Sequence, residues 1–360
     1  MGSRLVGVAA AVMLLFDAAS AWAQDDANLR RGVAALDRGD LPAARTAFEA
    51  LVRERPRDAR GPYYLGVVLS RQNDRAGAER QYRAAIRLDP RLAEAHNNLG
   101  VLLREGRHIP EAIASFREAI RLSPGYGEAQ YNVGLALEEQ GDASGAVAAY
   151  RAAAEASARD ADPRNALGVL LQKQGDGAGA IRAFRDAARV APADPLPHVN
   201  LGLALIEAGN AREAECELGL ALDRAGRDRP ALARIGNGFR RLGRFDRAIG
   251  ALERAVATAE PTPSLLCDLG LSLKGAGRVD DAIARFEEAI RRDGTYAPAH
   301  YLLGNALAGK REWSRAADSF RRFLELAPRS EQAEEARRRL EICRRELAAS
   351  RGKAPPRRGR

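Results

Sequence analysis

The sequence predicts an all-α fold, an α-solenoid of nine 34-residue helix–turn–helix units followed by a C-terminal capping helix. Three observations carry that expectation. Residues 25–330 repeat with one fixed period, and glycine stands at the eighth place of every copy: Gly32, Gly66, Gly100, Gly134, Gly168, Gly202, Gly236, Gly270 and Gly304. Alanine stands at the twentieth: Ala44, Ala78, Ala112, Ala146, Ala180, Ala214, Ala248, Ala282 and Ala316. A large apolar residue fills the twenty-fourth: Phe48, Tyr82, Phe116, Tyr150, Phe184, Leu218, Leu252, Phe286 and Phe320. A period in this range is the signature of helical units that stack to bury a shared core.

Each element follows from spacing. Apolar residues at the seventh and eleventh places, such as Leu65 with Leu69 and Leu99 with Leu103, share one face of a first helix. A second helix carries the twentieth and twenty-fourth places. The alanine lets the two backbones approach, and the large residue is expected to fill the space toward the next pair. Gly39-Asp40, Asn73-Asp74, Gly141-Asp142, Gly175-Asp176 and Gly209-Asn210 mark the turn between them. Glycine accepts the left-handed conformation that ends a helix, and Asp or Asn caps the next one. Pro42 and Pro110 suit the first turn of the second helix, and Pro56, Pro90, Pro124, Pro192 and Pro328 stop it.

The ends differ in kind. Residues 1–23 read as a secretory signal peptide: Arg4, an apolar run, then Ala21-Trp22-Ala23, with cleavage expected after Ala23. The run is shorter than the roughly 20 residues of a spanning helix. An uncleaved N-terminal anchor is the competing reading. Residues 331–349 form the capping helix, with Ala333, Ala336, Leu340, Cys343 and Leu347 as its apolar stripe. Residues 350–360 are basic and without apolar content, a disordered tail. That tail is either simply solvated or adheres to an anionic envelope surface or acidic partner.

The eighth, twentieth, twenty-fourth and thirty-second places together resemble the tetratricopeptide repeat (TPR) family over residues 25–330. The resemblance implies a right-handed superhelix whose first helices line a concave groove for protein or peptide segments. Two departures stand out. Arg31 occupies the apolar seventh place of the first copy. The family's frequent tryptophan at the fourth place is replaced by residues including His96, Gln130, Arg164, His198 and His300.

The 57 Lys and Arg exceed the 48 acidic residues by nine, and five of the excess charges belong to the tail. Export and dispersed charge argue against a nucleic-acid partner. Three cysteines, Cys216, Cys267 and Cys343, fall on helices that are not neighbours in a stack, so buried or partly buried thiols are expected. No nucleophile elbow, phosphate loop or zinc-peptidase motif is present, and the sequence predicts no enzyme and no cofactor. His96, His198 and His300 are three repeats apart, too far to share an ion, and are read as packing residues with no metal.

The resemblance places the groove at the second, fifth, sixth, ninth, twelfth and thirteenth places. The candidate partner-binding residues are Asn98, Asn132, Asn200 and Arg234 at the sixth place, and Tyr63, Asn97, Tyr131, Asn165 and Tyr301 at the fifth. Asn237 and Asn305 at the ninth and Arg241 at the thirteenth complete the set. Amides both donate to and accept from a peptide backbone, and tyrosine offers contact area with a polar tip. Charge divides the groove. Glu94, Glu105, Glu128, Glu138 and Glu139 cluster in copies three and four, and Arg234, Arg240, Arg241, Arg244 and Lys274 in copies seven and eight. No copy has lysine at the fifth place, which argues against the family's clamp for chaperone C-terminal carboxylates. The expected function is a non-enzymatic periplasmic or secreted scaffold that supports assembly of an envelope complex. The alternatives are an accessory subunit activating a separate glycosyltransferase or peptidase, and envelope-surface adhesion through the tail.

Overall fold

A computed structural model of the chain describes residues 27–352, so the signal-peptide expectation and most of the tail lie outside the described residues. The described residues form nineteen α-helices and no strand. They fall into two compact units, one ending at Asp176 and the other beginning at Gly177, divided in the turn between the helices of the fifth repeat.

The first unit holds α1 (Ala27–Asp37), α2 (Leu41–Glu54), α3 (Arg60–Arg71), α4 (Arg75–Leu88), α5 (Ala93–Glu105), α6 (Ile109–Leu122), α7 (Gly127–Gln140), α8 (Ala143–Ala156) and α9 (Asp162–Lys173). The second holds α10 (Gly177–Val190), α11 (Pro195–Glu207), α12 (Ala211–Arg224), α13 (Arg229–Arg241), α14 (Phe245–Val256), α15 (Pro263–Gly275), α16 (Val279–Arg292), α17 (Ala297–Gly309), α18 (Trp313–Leu326) and α19 (Ala333–Gly352). Odd-numbered helices through α17 are the first helices of the repeats, and even-numbered ones are the second.

Each unit is a stack of helical hairpins around its own core. Every alanine at the twentieth place is fully buried. Within each unit the large residue at the twenty-fourth place lies over the glycine at the eighth place of its own hairpin, rather than only toward the next pair. A Cβ added to Gly66 would meet Tyr82 at 2.7 Å, one on Gly100 would meet Phe116 at 2.6 Å, and one on Gly304 would meet Phe320 at 2.8 Å. The glycine at place eight and the ring at place twenty-four are thus one steric unit.

The turn between helices has one backbone solution. All nine copies are left-handed at the fifteenth place, through Gly39, Gly141, Gly175, Gly209, Gly243 and Gly277, and also through Asn73, Arg107 and Arg311. Asp40, Asp74, Asp142 and Asn210 then cap the second helix by accepting from Ala43, Gly77, Gly145 and Glu213. Arg107 has φ 65° and is exposed. A side chain with a Cβ is disfavoured in this conformation by about 1–2 kcal/mol, and glycine's extra freedom in the unfolded chain returns part of that. Arg107→Gly is expected to stabilise the first unit by about 0.5 kcal/mol, read as a Tm rise of roughly one to two degrees. The lost Arg107–Glu139 pair at 3.9 Å is exposed and adds little against this.

The fourth-place residues do more than pack. His96 Nε2 lies 3.1 Å from the carbonyl of Pro90, His198 Nε2 3.4 Å from that of Pro192, and His300 Nε2 3.1 Å from that of Gly294. The Gln130 amide donates to the Pro124 carbonyl at 2.8 Å, and Arg164 to the Ser157 carbonyl at 3.0 Å. Each satisfies a carbonyl left without a helical partner where the preceding second helix ends.

At the C-terminal end α19 packs on α18, with Ala333, Ala336, Leu340 and Cys343 buried. The helix runs to Gly352, so the first residues of the stretch read as tail, 350–352, are helical. Cys267 and Cys343 are buried free thiols, and Cys216 is exposed on α12, against the expectation for all three. Burial, then the charge of Asp268, pushes the Cys267 thiol up to about 12.

Candidate functional site

In both units the contacts that skip a helix join odd-numbered helices: α5 with α7 in the first, and α11 with α13, α13 with α15 and α15 with α17 in the second. Within each unit the odd-numbered helices therefore line the tighter, inner side of the stack. The expected groove residues sit on these helices and divide by burial. Tyr63, Asn97, Asn132 and Asn200 are buried. Asn98, Tyr131, Asn165, Arg234, Asn237, Tyr301 and Asn305 are half-buried, and Arg241 is exposed.

In the first unit the amides bond to one another. Asn132 Nδ2 donates to Asn97 Oδ1 at 3.0 Å, and Asn97 Nδ2 donates to Glu128 Oε1 at 3.2 Å. Asn98 Nδ2 reaches Tyr63 Oη at 3.5 Å. Asn97 and Asn132, expected to face a partner, are instead buried against each other. Asn97 is wholly removed from solvent, and Asn97 and Asn132 form a buried link between α5 and α7. Adjacent amides at the fifth and sixth places meet across neighbouring repeats, which one repeat read alone does not show. Tyr63 packs against Tyr64 and Tyr82, with ring centroids at 5.0 and 6.2 Å. The accessible part of the expected set here is Asn98, Tyr131 and Asn165.

Burial pushes the Glu128 carboxyl from its ordinary 4.5 up to about 7, with the Asn97 hydrogen bond acting the other way. Tyr126, just before α7, is held far above the usual phenol range by burial and by the charge of Glu128. Tyr131 is pushed up to about 12 by burial, then by Asp162 and Asp160. Three of the other acidic groups in this set, Glu105, Glu138 and Glu139, are paired within the unit. Glu138 accepts from Lys173 at 2.6 Å and from Tyr150 at 3.1 Å, Glu139 faces Arg104 at 3.5 Å, and Glu105 faces Arg75 at 3.4 Å.

At the ninth place the expected set names only Asn237 and Asn305, not the aliphatic residues that fill it elsewhere. In the first unit this place supplies Val67, Val101, Leu135 and Val169, from nearly buried to 37% exposed at Val169. These make an apolar line between the polar fifth and sixth places and the charged twelfth and thirteenth. In the second unit the ninth place alternates Leu203, Asn237, Leu271 and Asn305, all half-buried. The 34-residue spacing of these residues was the signal available in the sequence.

In the second unit Asn200 accepts from Arg234, and Asn237 accepts from Arg240 at 3.0 Å while donating to Asp268 at 3.0 Å. Arg241 faces Glu207 at 3.9 Å, and Arg244 on the turn pairs with Glu215 at 2.9 Å. Tyr301 packs on Phe323 with centroids 5.1 Å apart. A shallow hollow of about 440 Å³ lies away from this face, between α12 and α14, beside Cys216. Its Arg247 and Glu215 already face each other at 3.3 Å. Among the described residues no three His, Cys, Asp or Glu side chains are grouped to hold a metal ion, and no helix is long and apolar enough to cross a membrane.

Stacked helical hairpins that carry, in each unit, an inner face of polar, aromatic and aliphatic side chains define a helical-repeat protein. A family model described as Tetratricopeptide repeat matches residues 29–90, 63–126, 102–161, 165–230 and 267–331, and a second of the same description matches 231–265. The chain belongs to the tetratricopeptide repeat family. No curated protein matches it. Among solved structures it is similar to the APC/C hetero-tetramer Cut9–Hcn1, at 18% identity over 82% of this chain and 58% of that one, with a TM-score of 0.50. It is also similar to a tetratricopeptide repeat protein from Parabacteroides merdae, at 18% identity over 72% of this chain and 98% of that one, TM-score 0.47. A third is YrrB, described as a TPR protein with an unusual peptide-binding site, at 24% identity over 52% of this chain and 96% of that one, TM-score 0.43. At these identities the likeness concerns the fold.

Proposed function

We propose that the protein is a non-enzymatic scaffold that binds protein or peptide segments along the inner, odd-helix face of its repeats. In this reading it is exported to the periplasm or beyond and supports assembly of an envelope complex. The observation that carries the binding role is the inner face itself. Half-buried amides and tyrosines flank a line of aliphatic side chains at one residue per repeat. That combination gives an extended segment apolar contact and backbone hydrogen-bond partners together. Family membership supports an interaction scaffold. The envelope location rests on the signal-peptide pattern of residues 1–23.

The test is crosslinking and capture from envelope extracts, run beside a triple variant with Asn98→Ala, Tyr131→Ala and Asn165→Ala. These three side chains are half-buried, and because Tyr131 also packs on Tyr150 the variant's thermal melt is compared with the parent's. The expected result is a partner held by the parent chain and lost from the variant, with the captured protein beginning at Gln24. A partner held equally by both would remove the first unit's inner face from the binding role. A chain retaining residues 1–23 in the cytoplasmic fraction would remove the envelope assignment.

A further inference from the structure

We infer that the inner face of the second unit, around α13 and α15, is a docking site for an acidic, extended protein segment whose carboxylates meet Arg234, Arg240 and Lys274. The inference rests on the inner face being the binding surface and specifies what this part of it takes.

Three cations on this face have no counter-charge among the described residues. Arg234 donates to the neutral amide oxygen of Asn200, and Arg240 to that of Asn237. Lys274 is exposed. None of the three forms an ion pair among the described residues. Cations on the other side of the same unit behave differently: Arg244 and Arg247 both reach Glu215, and Arg292 reaches Glu260 at 2.7 Å. Two carboxylates share the inner face, and both are engaged. Asp268 accepts from Asn237, and Glu207 faces Arg241. Four cations therefore stand against two carboxylates there.

The unpaired groups are also short of hydrogen-bond partners. Arg240 Nε is buried without one. Arg234 is half-buried, and burial lowers its pKa from the ordinary 12.5. A guanidinium taken from water with only an amide oxygen as partner gains most from a carboxylate, which accepts two of its N–H groups side by side.

Two further features select a protein segment over another polyanion. Asn305 Oδ1, on α17 beside α15, is buried with no partner, and it is an acceptor suited to a peptide N–H. The ninth place alternates Leu203, Asn237, Leu271 and Asn305, so apolar and amide positions alternate from repeat to repeat. A segment in which acidic and aliphatic residues alternate matches both features. A nucleic acid has no aliphatic side chains for Leu203 and Leu271.

The experiment is fluorescence anisotropy of the full chain with a labelled peptide in which glutamate alternates with leucine or alanine. It is compared with the same peptide carrying glutamine, the same carrying lysine, and a poly-dT oligonucleotide of equal charge. The glutamate peptide is expected to bind at least about tenfold more tightly than the glutamine one, since each charge-assisted bond lost is worth roughly that factor. Its affinity should fall as salt rises. Arg240→Gln with Lys274→Gln should reduce it by roughly tenfold or more. Lys274→Glu should shift preference toward the lysine peptide.

Equal binding of the glutamate and glutamine peptides, both weakened by Asn237→Ala, would overturn the acidic preference and leave the inner face as the binding surface. Glutamate-peptide binding unaffected by Arg240→Gln with Lys274→Gln but lost in Arg244→Gln with Arg247→Gln would move recognition off this face and overturn both readings. An oligonucleotide that binds as tightly as the glutamate peptide, or no binding by any probe, would also overturn the inference.

Discussion

Gly100→Ala is expected to destabilise the first unit by about 2 kcal/mol, although glycine to alanine inside a helix ordinarily stabilises. The new Cβ would lie 2.6 Å from Cε1, 2.7 Å from Cδ1 and 3.0 Å from Cζ of Phe116. That ring is fully buried and closed in by its neighbours, so it cannot swing aside without disturbing the next hairpin. Overpacking of this kind costs about 1–3 kcal/mol or more, above the roughly 1 kcal/mol gained in helix propensity. Gly250 supplies the opposite sign. It lies inside α14, is exposed, and a Cβ there would meet nothing within 4 Å. Gly250→Ala should stabilise by about 0.5–1 kcal/mol. Thermal melts and amide exchange of the two variants give the check. The Gly100→Ala loss should shrink in a Phe116→Ala background, with a coupling of about 1 kcal/mol or more. Additive effects of the two substitutions would mean that glycine and ring are not one unit.

Stability of the first unit is expected to fall as pH rises through about 7, and Glu128→Gln should remove that dependence. A carboxyl whose folded pKa lies above its unfolded value holds its proton more tightly in the native chain. Its contribution is complete below the ordinary value of 4.5 and is lost as pH rises through about 7. The cause is burial of the charged form beside Tyr126, with one compensating hydrogen bond from Asn97. The size of the loss is on the order of 3 kcal/mol. Glutamine keeps the shape and the acceptor for Asn97 without the charge, so the variant should match the parent near pH 5 and exceed it near pH 8. Amide exchange on α5 and α7 at the two pH values measures this directly. A parent chain with level protection across that range would show that Glu128 stays ionised at no cost.

The repeat made the fold legible. Glycine at place eight, alanine at twenty and the large residue at twenty-four constrain one another sterically, so each recurs nine times in register. The left-handed turn was legible where glycine or Asn73 marks it and hidden at Arg107 and Arg311, where the stack imposes a conformation that the residue itself disfavours. The candidate face was legible as a set of helix positions but not as a set of accessible groups. Asn97 and Asn132 look alike to Asn98 in sequence. Only the packing of α5 on α7 turns the first two inward to each other and to Glu128. The role of the place-four histidines at the carbonyls of Pro90, Pro192 and Gly294 was not legible, because it depends on where the preceding helix ends.

The most direct test of the scaffold account is site-specific photocrosslinking in living cells. A photoreactive residue would be placed in turn at Val101, Leu135, Leu203 and Leu271 on odd-numbered helices, and at Arg117, Arg151, Arg182 and Gly250 on even-numbered ones. The expected result is adducts to a partner protein from the first four positions, with the attached segment identified by mass spectrometry, and none from the last four. Adducts confined to the even-numbered helices would contradict the account and place recognition on the outer side of the repeats.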